Sequence, residues 1–346
     1  MARLASAATP IRKFLHLLVD DLHGGHTLRK IDTTPFFAAG VCSQGSLPSP
    51  AAMQPTPLPP PVVRFECPPG HGCTQFFPLG RGVEKIVAVD RHRHTVIVDT
   101  RTAAVRAGGD LRHDKRLGPA WAEAGGRLYL LGCPSFLGPL CFDMEALAHD
   151  GHRGDWFWTA LPSPPLNDQT GRVVSFADGG AGAGEDTIRV STRDDGTYVF
   201  DAARGSWRRE GRWALPFHGR AQYVADYGLW FGFSGDRGAF DLCAADLACA
   251  AAADARPACR HVWADVDGLA GHVSEWVPLR NYLSYLGCGR FCVTRFLTAR
   301  KEPFSHVAVV TAVEATLAAG SGEMLMVRRA SRCYHFAMPA SLGWAY

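Results

Sequence analysis

Cys67, His71 and Cys73 have spacing that could hold a metal. Thiolate and imidazole donors suit zinc, which a structural site surrounds with four ligands in a tetrahedron. Only three donors stand here, and the residues between them are two prolines and two glycines. A loop carrying ordinary thiols is therefore the main expectation, with no metal and no other cofactor. Cys288 and Cys292 are a poorer pair, because residues four apart on a strand share a face but lie about 13 Å apart. The arginines suggest other chemistry. Arg91 and Arg93 alternate with His92 and His94 in a short polar run, which reads either as an anion-binding hairpin tip or as a solvated turn. His218 and Arg220, in Phe-His-Gly-Arg, enter an aromatic strand pair. Arg220 is expected either to reach a partner or to bond a backbone carbonyl of the neighbouring repeat.

Nucleophilic catalysis finds little support. The chain has no Gly-x-Ser-x-Gly elbow and no cysteine beside an activating segment. The glycines of residues 179–184 lack the Lys-Ser/Thr ending of a phosphate-binding loop. Asp194 and Asp195 are paired carboxylates that a tight turn explains, since Asp195-Gly196 is a strong hairpin signal.

The elements that would position these residues are short strands. Apolar runs begin at Ile86, Leu128, Ile188, Leu229 and Phe291, at offsets of 42, 60, 41 and 62 residues. The shorter offsets match the period of a propeller repeat, and the longer ones contain loops rich in Gly, Pro, Asp or Ala. Second strands ending in turns are expected at residues 95–99, 140–143, 197–201 and 240–243. Trp156, Trp158, Trp207 and Trp263 mark third strands, where large rings would fill the wedges between sheets. A first repeat is expected from residues 14–19 and 27–32. The tail adds runs at 307–313, 323–327 and 333–336, and residues 244–253 read as a short helix or an Ala-rich loop. Six repeats result, closed by a strand of one terminus joining the sheet of the other, because an open seam leaves unpaired edges.

Residues 41–62 hold seven prolines and are expected to form a disordered or extended surface loop. That run is either a ligand for a proline-reading domain or a tolerated insertion. The domain reading is a flexible N-terminus over 1–13, one propeller over 14–337 with the 41–62 insertion, and a C-terminal tail over 338–346.

Composition narrows the partners. Lys and Arg total 36 against 33 Asp and Glu, with no uninterrupted basic run, so nucleic acid is not expected. No run approaches the ~20 apolar residues of a membrane span. Eleven cysteines without framework spacing read as core thiols of a reducing compartment, cytoplasm or nucleus. The Arg/Ala-rich start leaves organellar import as the alternative. About a dozen residues precede the first repeat, so recruitment by a separate domain would occur in trans.

Gly125-Gly-Arg-Leu-Tyr-Leu-Leu-Gly132 resembles the opening strand of a kelch repeat, with the glycine doublet displaced upstream. Nearly the whole chain resembles a plant family, expanded in grasses, of the domain of unknown function 1668 type. The segments that carry this are residues 28–32, 85–90, 156–162 and 196–233, above all Trp213-Ala-Leu-Pro-Phe-His-Gly-Arg220, extended by 242–247 and 282–291. The resemblance implies a kelch-like β-propeller and supplies no reaction or catalytic residue. The expected protein is all-β, a monomeric, non-enzymatic scaffold that binds a protein partner. The alternative is an enzyme with a small-molecule or metal site at the channel mouth.

Overall fold

The computed structural model describes residues 11–21, 24–38, 40, 45–66, 74–115, 118–132, 142–166, 172–180, 186–235, 241–249, 255–302, 305–318, 323–337 and 343–346. Strands dominate it. In chain order they are β1 (Phe14–Asp21), β2 (Gly25–Asp32), β3 (Pro55–Thr56), β4 (Pro61–Glu66), β5 (Gln75–Leu79), β6 (Lys85–Val89), β7 (Thr95–Asp99) and β8 (Val105–Ala107). Next come β9 (Ala120–Ala124), β10 (Arg127–Leu131), β11 (Met144–Asp150), β12 (Asp155–Leu161), β13 (Val173–Asp178), β14 (Thr187–Thr192), β15 (Gly196–Asp201) and β16 (Ser206–Gly211). The rest are β17 (Phe217–Val224), β18 (Leu229–Ser234), β19 (Leu242–Ala245), β20 (Cys259–Trp263), β21 (Trp276–Gly287), β22 (Arg290–Ala299), β23 (Ser305–Leu317), β24 (Met324–Ala337) and β25 (Trp344–Ala345). The helix α1 (Thr34–Ala38) follows β2, and a 3-10 turn spans Ala270–His272. The protein is all-β.

The chain divides into two compact units, one of Met1–His71, Ala239–Leu242 and Trp263–Tyr346, the other of Gly72–Gly238 and Cys243–Val262. The first holds a sheet ordered β25-β1-β2-β4 and a second ordered β21-β22-β23-β24-β3. Period-two patterning builds the second sheet. Ala308, Val310 and Ala312 enter a core with Leu15, Leu17 and Phe296, while Val307 and Val309 enter another with Leu269, Trp276 and Leu297. A strand buried on both faces needs apolar residues at successive positions, as this run supplies. Arg295, fully buried on β22, binds the equally buried Asp267 and ties the loop after β20 to this sheet.

The second unit holds β5–β18 and most of β19 and β20. Its sheets are β5-β6-β7-β8, β9-β10-β11-β12, and an eight-stranded sheet in which the meanders β13–β16 and β17–β20 are joined by parallel pairing of β13 with β17. The outer hairpins share one device. Asp99, Asp150 and Asp201 each end a third strand, 51 residues apart. Each turns its carboxylate onto the next backbone N–H groups: Asp99 onto Arg101 and Thr102, Asp150 onto His152, and Asp201 onto Ala203 and Arg204. Such Asx turns fix a tight reversal without a long loop. Tryptophans then link successive meanders through their indole N–H. Trp158 donates to Thr95 Oγ1 at 2.9 Å, Trp207 to Pro162 O at 2.7 Å and Trp230 to Asp178 O at 2.8 Å.

Several sequence expectations change. Of the strand expected at 140–143, residues 140 and 141 lie outside the described residues, and 142–143 precede β11, which runs Met144–Asp150 and ends at the turn carried by Asp150. The runs expected at 323–327 and 333–336 merge, from Met324 on, into the single strand β24, since no Gly or Pro interrupts Arg328-Arg-Ala-Ser-Arg332. Of the segment 244–253, residues 244 and 245 pair within β19 (242–245), residues 247–249 are helical as one of the two expected forms, and 250–253 lie outside the described residues. The supposed tail contributes β25, which pairs with β1 through Leu17–Ala345 and Leu18–Trp344, as the expected strand of one terminus joining the sheet of the other. Within the Pro-rich segment, residues 45–62 belong to the first unit and run largely as loop around the short strands β3 and β4, the extended form of the two expected. Prolines lack N–H groups but keep their carbonyls, and Leu47 O, Pro50 O and Pro59 O accept bonds from His272, Cys333 and Arg29.

Candidate functional site

In the second unit, the first strands of three meanders bring together Trp121 and Glu123 of β9, Asp178 of β13 and Arg220 of β17. On β9, Ala120, Ala122 and Ala124 are buried in the core shared with Tyr129 and Phe200. Alternation therefore turns Trp121 and Glu123 to the opposite face. There Trp121 meets Phe77 edge-on, with ring centroids 6.4 Å apart, and Glu123 accepts the Gly80 N–H at 3.0 Å.

Arg220 owes its position to a bulge. The pairing of β17 with β18 shifts between His218 and Gln222, and Gly219 takes φ of +71°, a conformation that favours glycine. The displaced stretch pairs instead with β13, Arg220 opposite Phe176. The guanidinium then lies 4.2 Å from the Trp121 ring centroid and forms an ion pair with Asp178. Its side chain is 23% exposed and that of Asp178 13%, so the pair is partly wet and the stacking is of the stronger, partly desolvated kind. Arg220 Nε and Asp178 Oδ1 are buried without a hydrogen-bond partner.

Burial raises the Asp178 carboxyl above the ordinary carboxylate range, against the pull of Arg220. Burial also raises Glu123, and the neighbouring Asp178 adds to it. Arg220 pairs with Asp178, and its charge also acts on the Glu123 carboxyl, opposing the rise. The group can accept hydrogen bonds from a cationic or amide donor and offer an aromatic edge.

His218 is exposed on the same strand. Arg91 and Arg93 lie elsewhere, at the β6–β7 hairpin, where Arg93 takes φ of +76° and donates to Arg112 O at 2.6 Å. Arg220 does bridge repeats, but to a carboxylate and a ring rather than to a carbonyl. Cys67, His71 and Cys73 fall outside the described residues, and among the described residues no group of three or more metal-ligating side chains occurs. No helix there is long and apolar enough to cross a membrane. Sequence reading missed Trp121, Glu123 and Asp178. The available signal was an acid within one short apolar strand, Glu123 of β9, and another closing β13, Asp178, where acids are depleted.

An all-β chain of four-stranded meanders with its polar cluster on first strands defines the class. The chain belongs to the family described as Protein of unknown function (DUF1668), whose model matches residues 12–334. No curated protein matches it. Among solved structures it is similar to the β-propeller domain of Cps50 (Swd1) from Myceliophteria thermophila, at 11% identity and TM-score 0.42, covering 93% of this chain and 86% of that one. Hsv2 of Kluyveromyces lactis is similar at 10% identity and TM-score 0.37, over 91% and 85% of the two chains. YjhT is similar at 10% identity and TM-score 0.42, over 73% and 83%.

Proposed function

We propose that the chain is a plant protein built as a six-bladed kelch-like propeller, acting as a non-enzymatic scaffold that binds a protein partner. Six antiparallel meanders support the blade count: β25-β1-β2-β4, β5–β8, β9–β12, β13–β16, β17–β20 and β21–β24. The observation that carries the binding role is Arg220, held by Asp178 over Trp121 while still partly exposed. Interface energy concentrates in Arg and Trp anchors of this kind. The scaffold works as a monomer in the cytoplasm or nucleus and engages neither nucleic acid nor membrane. The raised carboxyls of Glu123 and Asp178 favour a second reading, an enzyme using them for proton transfer. Proximity labelling in plant cells separates these readings, comparing the tagged protein with an Arg220→Gln, His218→Ala variant. The scaffold predicts a reproducible partner lost in the variant. An unchanged partner set would reject this face as the binding site.

A further inference from the structure

The Pro-rich strand connection of the first unit has a geometry that the proposed site does not use. From Thr56 to Pro61 every residue is either a proline or precedes one. Proline fixes its own φ near −65° and pushes the residue before it out of the helical region, so this run is confined to extended or polyproline II backbone. Both ends are fastened. Pro55 and Thr56 pair in parallel with Cys333 and Tyr334, and Pro61 pairs with Arg29. Midway, Leu58 packs against the core of Leu15 and Phe296, and Arg29 donates to Pro59 O.

Polyproline II repeats every three residues, so fastening one edge presents another. Gln54, Pro57 and Pro60 are exposed, as are the strand-paired Pro55 and Pro61 at the two ends, whereas Thr56, Leu58 and Pro59 are turned partly inward. The result is a ridge with prolines at i and i+3, the spacing that aromatic-lined grooves read in Pro-x-x-Pro ligands. Because folding has already ordered the ridge, a partner meets little further entropy cost.

We propose that Gln54, Pro57 and Pro60 form a docking ridge for a proline-reading domain of the SH3 or WW type, whose groove would be lined by aromatic rings. The test presents the purified full-length chain to an array of immobilised SH3 and WW domains, beside a Pro57→Ala, Pro60→Ala variant. The expected result is retention by at least one domain, weakened about tenfold or more in the variant, with an unchanged melting temperature because both prolines are exposed. A free peptide of residues 54–61 should displace the retained domain, which keeps the test decisive should the variant fold poorly. Retention by no domain, or retention that neither the variant nor the peptide alters, would overturn the proposal.

Discussion

Arg220 and Asp178 are bound tightly enough that their energetics test the site directly. Replacing Arg220 alone leaves the Asp178 carboxylate largely buried without its cation, a situation that costs several kcal/mol when complete. Partial exposure reduces this, so Arg220→Ala should destabilise by about 2–3 kcal/mol. The Arg220→Ala, Asp178→Ala double variant should lose less than the sum of the singles, read from denaturant midpoints as a double-mutant cycle. Purely additive losses would mean that the pair is not coupled. The sequence offered Arg220 through the aromatic context of Phe217-His-Gly-Arg220. Its partners were not legible, because they come from strands 42 and 99 residues earlier in the chain and the bulge at Gly219 that aims Arg220 leaves only one ordinary glycine as its trace.

At the scale of elements, the strands and hairpins were largely readable, since period-two burial and turn residues are local. The run Thr95–Asp99 is β7 as expected, and residues 197–201 lie within β15. The repeat itself was read at its second strands, since the runs at Ile86, Leu128, Ile188, Leu229 and Phe291 lie in β6, β10, β14, β18 and β22; what escaped was its steadiest spacing. Insertions blur strand spacing, but the Asx turns at Asp99, Asp150 and Asp201 keep a period of 51 residues. Asp201→Ala removes the acceptor for two backbone N–H groups and should cost about 1 kcal/mol, as loss of a comparable capping side chain does; Asp201→Asn should retain most of it. Trp158→Phe should cost about 2–3 kcal/mol, since it deletes the bond to the buried Thr95 hydroxyl and leaves part of the indole volume empty, measured by equilibrium unfolding.

Over the whole molecule, pH and the C-terminal strand test how the first unit holds together. Burial lowers His16 from 6.5 to about 3, with the positive charges of Arg12 and Lys30 adding to it, and burial lowers His26 to about 4. Both are neutral in the fold, whereas the unfolded chain takes up protons below pH 6.5. Stability should therefore fall as pH drops from 6.5 towards 4, by up to about 1.4 kcal/mol per pH unit for each histidine. Asp20 acts with the opposite sign. Burial, with Asp21 beside it, raises its carboxyl from 3.8 to about 6, so its contribution is present below pH 3.8 and lost as pH rises through 6. Solvent screening makes that term smaller than its shift suggests. His16→Leu should flatten the acid slope, as read from denaturant midpoints at pH 7 and pH 5. Ending the chain before Gly343 removes β25 and exposes the backbone edge of β1, which should lower the melting temperature and promote self-association.

The central claim is that the face around Arg220 reads a protein partner, and site-directed photo-crosslinking tests it most directly. A benzophenone side chain would replace exposed His218 in one variant and exposed Val105 of β8 in another, with cross-linking carried out in cells. The account predicts a discrete partner adduct from position 218, abolished by Arg220→Gln, and none from position 105. Adducts of equal yield from both positions, or a 218 adduct indifferent to Arg220, would contradict it.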